Sequence, residues 1–177
     1  MLGNSYENQD CSAARALEVV GERWSLLIIR DALFRGATRF SDFERGLGIA
    51  TNVLAKRLDS FVAVGLLQRQ TGDRQDEPQR YVPTEKCMDL KPVILALTAW
   101  GDRWAAPDGP PITFRHEGCG GQVSLRMHCN ECRDAPMSGE VVAISNRRER
   151  RRPDPATPAA KRSRDWDSVS CASSRLL

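Results

Sequence analysis

The chain has 177 residues, enough for one ordinary domain with an appendage and too few for two large cores. Its 26 Lys and Arg face 23 Asp and Glu, and the basic excess falls in residues 143–177, so any DNA contact by the folded part must come from a local patch. No apolar run approaches the roughly 18 residues of a membrane span, and no basic-then-apolar leader opens the chain, so the expectation is a cytoplasmic protein without membrane association.

In chain order, "SAARALEVVG" places Ala13, Leu17 and Val20 on one helical face, with Ser12 as N-cap and Gly21 as stop. In "RWSLLIIRDALFRG", Leu26, Leu27, Ile28, Ile29, Leu33 and Phe34 cover too wide an arc for a thin stripe, which predicts a second helix at the centre of the core. The run "TRFSDFERGLGIATNVLAKRLDSFVAVGLL" has helix-turn-helix proportions. Ser41 is expected to cap its short helix with Glu44 as capping-box partner, and Gly46 and Gly48 interrupt the pattern before it restarts. On the longer helix, from about Ala50 to Val64, Leu54, Leu58 and Phe61 face inward and leave Asn52, Lys56, Asp59 and Ala63 toward solvent.

Beyond Gly65 the pattern predicts a hairpin, Leu67 to Thr71 against Gln79 to Pro83. The segment "EKCMDLKPVILALTAWGDRW" predicts one further helix, with the residues before Pro92 as its first turn. It carries two stripes, Val93, Leu97, Trp100 and Trp104, and Leu90, Ile94 and Gly101; two stripes imply two partners, the parent core and a second subunit. "AAPDGPP" is a linker by composition, and the Pro-, Ser- and Arg-rich end cannot offset the entropy of ordering. The expected organisation is an arm at 1–10, a mainly α domain with a small β-hairpin wing at 11–105, a linker and Cys/His ribbon at 106–137, and a disordered basic tail at 138–177.

The motifs "GERW" (Gly21 to Trp24), "RFSDF" (Arg39 to Phe43), "GIATNVLAKRL" (Gly48 to Leu58), "GLLQR" (Gly65 to Arg69) and "YVPTEK" (Tyr81 to Lys86), in this order and spacing, resemble the HxlR family of bacterial winged helix-turn-helix transcriptional regulators, relatives of the MarR group. The resemblance covers about residues 11–105. It implies a homodimer paired through its first and last helices, with one recognition helix per subunit in successive major grooves of double-stranded DNA. Two-fold symmetry matches half-sites roughly 34 to 36 Å apart. By position, Thr51 and Asn52 are candidates for base or phosphate contact, Lys56 for a base edge or the backbone, and Arg57 for phosphate at the rim. Arg39 is a candidate backbone clamp, and Arg69, Arg74 and Arg80 are candidate wing contacts, although Asp73, Asp76 and Glu77 keep part of that hairpin away from phosphate. Cys11 holds the position of a cysteine that in some members responds to electrophiles or oxidants. A helix N-terminus and Arg15 one turn on would favour its thiolate, but Ser12 follows it where the family commonly has Pro.

The segment "HEGCGGQVSLRMHCNEC" offers His116, Cys119, Cys129 and Cys132 as two pairs of zinc-type ligands, with "QVSLRMH" as a connecting hairpin. Three readings stand open there: a structural four-ligand zinc site, a redox-active Cys129 and Cys132 pair, and a ribbon without metal. Cys87 is expected in the core and Cys171 as an exposed tail thiol. The function expected is DNA-binding regulation by a homodimer, responsive to a small-molecule effector or thiol modification; the alternative is a winged-helix adaptor that docks proteins through its ribbon. No phosphate-cradling loop or catalytic constellation points to an enzyme.

Overall fold

The structure, a computed structural model, describes residues 5–71 and 78–144, in two units: the first ends at Met127 and the second begins at His128. The predicted wing loop residue Arg74, the thiol Cys171 and most of the basic tail lie outside the described residues.

The first unit runs α1 (Ser12–Val20), α2 (Ser25–Phe34), α3 (Phe40–Leu47), α4 (Thr51–Ala63), β1 (Leu67–Gln70), β2 (Arg80–Pro83), α5 (Glu85–Met88) and α6 (Lys91–Trp104). This is the mainly helical winged helix-turn-helix expected. Its two strands pair antiparallel in the register Leu67↔Pro83 to Gln70↔Arg80, one residue inside the predicted hairpin at Thr71 and Gln79. Helix α2 is central: Ile28 and Ile29 are fully buried among Phe43, Leu54, Leu58, Phe61 and Leu67. Ile94 closes the core from α6, so the inner of that helix's two stripes meets the parent domain as expected. Cys87 lies in the same core, and burial pushes its thiol up to about 11, which leaves it an inert small hydrophobe.

The motif "YVPTEK" has a structural reason. Thr84 donates its hydroxyl to the carbonyls of Gly65 at 2.7 Å and Leu66 at 3.1 Å while accepting from the Cys87 amide. Lys86 Nζ donates to the carbonyl of Val64 at 2.8 Å, a cation at the C-terminus of α4. These contacts tie the wing, α5 and the end of α4 into one body.

Three local expectations are corrected. Cys11, not Ser12, is the N-cap of α1, its Sγ accepting from the Ala14 amide at 3.3 Å. Helix α3 starts earlier than Ser41: Arg39 is its N-cap, and Asp42 receives the Arg39 amide at 2.9 Å and the Thr38 amide at 3.3 Å. The Arg39 amide, first among several donors, holds the Asp42 carboxyl below the usual carboxylate range. The predicted last helix is two, because Pro92 has no N–H for the carbonyl four residues back; α5 ends at Met88 and α6 restarts with Pro92 in its first turn.

A buried ion pair locks α2. Asp31 is 1 % exposed and is bonded by Arg30 at 2.8 and 2.7 Å, with Arg35 at 3.7 Å. Asp31→Ala strands the Arg30 guanidinium in a partly buried site and is expected to cost about 3 kcal/mol, a fall in melting temperature on the order of 10 °C. An unchanged thermal melt would show that this pair contributes no stability.

Candidate nucleic-acid interface

The turn between α3 and α4 is made by Gly48 at φ 60°, a left-handed C-cap whose amide bonds Glu44 O at 3.0 Å. Helix α4 follows with its predicted inward face, Leu54, Leu58 and Phe61, fully buried. That anchoring turns Thr51, Asn52, Lys56 and Asp59 to solvent. Asn52 and Lys56 stand one turn apart on the same face. Among the described residues, Lys56 carries no ion pair or hydrogen bond to the rest of the domain. The N-cap of α4 is Ala50, which has no side-chain acceptor, and Asn52 Oδ1 takes the Val53 amide at 2.9 Å, so it is the Thr51 and Asn52 amides of this helix start that can receive an anionic oxygen.

The other predicted contacts divide sharply. Thr51 is exposed but spends its hydroxyl on Glu44 Oε1 at 2.7 Å, which holds the turn of the motif closed. Arg57 pairs with Glu22 at 3.3 Å, and its side chain is only 15 % exposed; it fastens α4 to the loop before α2 instead of reaching the rim. Arg69 bonds Asp59 on α4. In the wing register, Arg69 shares a face with Tyr81 and Arg80 shares the opposite one with Gln70, so these two arginines do not straddle one groove together. Arg80 instead forms a bridge with Arg39, and the Tyr81 amide donates to Thr38 O at 2.7 Å. Two exposed arginines, one at the start of α3 and one from the wing, are thus placed side by side.

The pairings of Glu22 with Arg57, Glu44 with Thr51 and Asp59 with Arg69 escaped sequence reasoning. Asp59 and Arg69 are ten residues apart, and Glu22 and Arg57 lie on different elements, so no helical or strand period links them. Asp42 did have a local signal, standing three residues after Arg39 as a box acid does.

At the N-terminus, Cys11 is exposed. Arg15 is not spare charge beside it: its guanidinium bonds the carbonyls of Tyr6 and Gln9 and pairs with Glu18 at 3.0 Å. Further along, His116 Nδ1 and Cys119 Sγ approach to 3.3 Å. Cys129 and Cys132 also meet, the Cys132 amide first and the Glu131 amide second lowering the Cys129 thiol below its ordinary value. The predicted hairpin within "QVSLRMH" is absent; the pairing is a single bridge, Arg115↔Gln122, which closes on the first Cys/His turn itself. Among the described residues no three His, Cys, Asp or Glu side chains stand as one metal-holding group.

With this helix-turn-helix and wing geometry, residues 19–109 match the HxlR-like helix-turn-helix family model. The chain belongs to the HxlR-like family. It is a helix-turn-helix transcriptional regulator. An uncharacterised helix-turn-helix transcriptional regulator of Mycobacterium tuberculosis is 42 % identical over 146 residues, 82 % of this chain and 87 % of its own. The crystal structure of PA1607, assigned as a transcription factor, superposes with a TM-score of 0.70 at 32 % identity, covering 78 % of this chain and 96 % of its own. A second such structure, PA1374 from Pseudomonas aeruginosa, gives 0.53 at 39 % identity, over 77 % and 93 % of the two chains. A match over 146 of 177 residues extends well past the HxlR-like domain and has to include the Cys/His segment.

Proposed function

We propose that this HxlR-like protein acts as a cytoplasmic homodimer that reads an operator through Asn52 and Lys56 in the major groove, with Arg39, Arg80 and the start of α4 on flanking phosphates. The observation that carries the reading is the face of α4: the apolar side is fully buried, and the opposite side presents an amide and an ammonium one turn apart, the ammonium without a partner among the described residues. An Asn amide matches adenine, and a Lys ammonium matches guanine or phosphate. Arg57 and Arg69 support the reading indirectly, as residues that hold α4 in place.

Dimerisation rests on the outer stripe of α6, where Leu97, Trp100 and Trp104 are 50, 62 and 65 % exposed, with Leu17 exposed on α1. Aromatic side chains of this size standing in water are what a helix-pairing interface needs. Control by an effector is a matter of differential affinity, since any ligand or thiol adduct that prefers one spacing of the two recognition helices shifts DNA binding. Cys11 is the thiol placed to take part, because an adduct on Sγ removes the acceptor of the Ala14 amide at the start of α1. Activity here is binding and its control, not catalysis.

The test is footprinting of the purified full-length protein on the DNA upstream of its own gene, with affinity measured against salt. Protection of a two-fold site, and a log–log salt slope of several units, are expected. No protected site, together with a flat salt dependence, would exclude the regulator mechanism proposed.

A further inference from the structure

Helix α6 has a third face beside its inner and outer stripes. Leu95, Thr98, Ala99 and Asp102 recur at spacings of three and four on the side away from Trp100 and Trp104. The chain after the linker folds back along this face, and a cleft of about 180 Å³ opens between the two. The opposite wall is held in shape by its own backbone and by α2. The Val123 amide donates to Phe114 O at 2.9 Å, the His116 amide donates to Gly121 O at 2.8 Å, and Arg115 is bridged to Gln122. The Phe114 ring packs on Phe34 of α2 with centroids 4.8 Å apart. Both walls belong to the unit that ends at Met127.

The lining combines apolar walls with a few polar groups, the composition of a small-molecule site. Leu95 and Phe114 line it, and at its rim Ile112, Val123 and Leu125 stand 42, 38 and 46 % exposed, apolar surface that a ligand would take out of water. Thr98, Asp102, Thr113, Gln122 and Ser124 supply the polar groups. Their side chains make no ion pair or hydrogen bond among the described residues. Asp102 is half-buried, and among the described residues it is the one charged side chain on the lining. Its neighbour Arg103 does not neutralise it, because that guanidinium is turned onto the Trp104 ring at 4.7 Å.

We infer that this cleft binds a small aromatic ammonium ion, its ring between Leu95, Phe114 and Val123 and its charged nitrogen on the Asp102 carboxylate. Size sets the upper limit: a cavity of about 150 Å³ holds one benzene ring, so this cleft takes a single ring with a short amine arm. Charge sets the sign, since a lone carboxylate beside apolar walls rejects anions and pairs with a cation. A metal ion is a poor fit, because hard cations want several oxygen ligands and the lining offers one carboxylate. Hydroxyls and the Gln122 amide are left to accept the remaining N–H groups of the ammonium. The site stands independently of DNA recognition, since none of its residues belongs to the helix-turn-helix and its test needs no DNA.

The test titrates the full-length protein at neutral pH with benzylammonium, benzyl alcohol and benzoate, following backbone amide shifts by NMR. Benzylammonium is expected to give saturable shifts centred on Thr98, Asp102 and Val123, with a Kd on the order of 1 mM for so small a probe. Benzyl alcohol, of the same size without the charge, should bind about 10-fold more weakly, and benzoate should not saturate. Asp102→Asn should weaken benzylammonium about 10-fold and leave benzyl alcohol unchanged, while Ala99→Phe, which fills the cleft, should abolish both. If a variant folds poorly, the comparison of the three probes on wild-type protein still decides. No saturable shift at the cleft with benzylammonium overturns the site. Equal affinity for benzylammonium and benzyl alcohol, or tighter binding of benzoate, overturns the ligand class, as does undiminished benzylammonium binding by folded Asp102→Asn.

Discussion

Replacing Leu97 and Trp100 together by Glu is expected to turn the proposed dimer into a monomer in sedimentation equilibrium and to weaken operator binding on the order of 100-fold. Both side chains stand half or more exposed on the outer stripe of α6, while Ile94 on the inner stripe is buried, so the changes leave the parent core untouched. Two carboxylates facing their own symmetry mates across a two-fold axis would lose apolar contact and gain like-charge repulsion. A monomer binds one half-site at a time, and the loss of avidity amplifies the damage. The melting temperature extrapolated to low protein concentration should stay close to wild type. A variant that still sediments as a dimer and binds its operator normally would remove this stripe from the interface.

Asn52→Ala and Lys56→Ala are expected to fail in different ways. If Asn52 pairs with a base, its loss costs about 1 to 3 kcal/mol per contact on the cognate site and little on unrelated DNA, so specificity collapses faster than affinity. If Lys56 meets phosphate, its loss weakens all DNA alike and lowers the salt slope by about one unit per contact made. In the proposed dimer each residue appears twice, so the effects double. Arg57→Ala serves as the contrast: its guanidinium is committed to Glu22 and its side chain is mostly covered, so the salt slope should be unchanged even if the helix loosens. Should Arg57→Ala lower the slope while Lys56→Ala does not, the contact assignment on α4 is reversed.

Much of this was legible in residue order. Buried Leu54, Leu58 and Phe61 fix which side of α4 meets solvent, and a spacing of four and three shows it without coordinates. The bounds expected for that helix, Ala50 to Val64, are its N-cap and C-cap. Capping was less legible, because the thiol of Cys11 caps α1 where the hydroxyl of Ser12 was expected to, and Arg39 with Asp42 as box acid starts α3 where Ser41 with Glu44 was expected to. Cap choice depends on where the helix backbone begins, and neighbouring candidates differ by little energy.

What the sequence by itself determined is the family, the order of elements, the solvent face of α4 and the spacing of the two Cys/His pairs, since hydrophobic period, glycine stops and motif spacing are local properties of a chain. What only the tertiary structure decided is which charges are available. Arg57 and Arg69 read as DNA-facing until folding brings Glu22 and Asp59 against them, whereas Lys56 meets no acid among the described residues and Arg80 is brought beside Arg39. Coulomb attraction acts through space at a few ångströms, without regard to separation along the chain. The same holds for the Cys/His segment: spacing shows two Cys/His pairs, but only the backbone shows that His116 to Gly121 and Cys129 to Asp134 make the same turn.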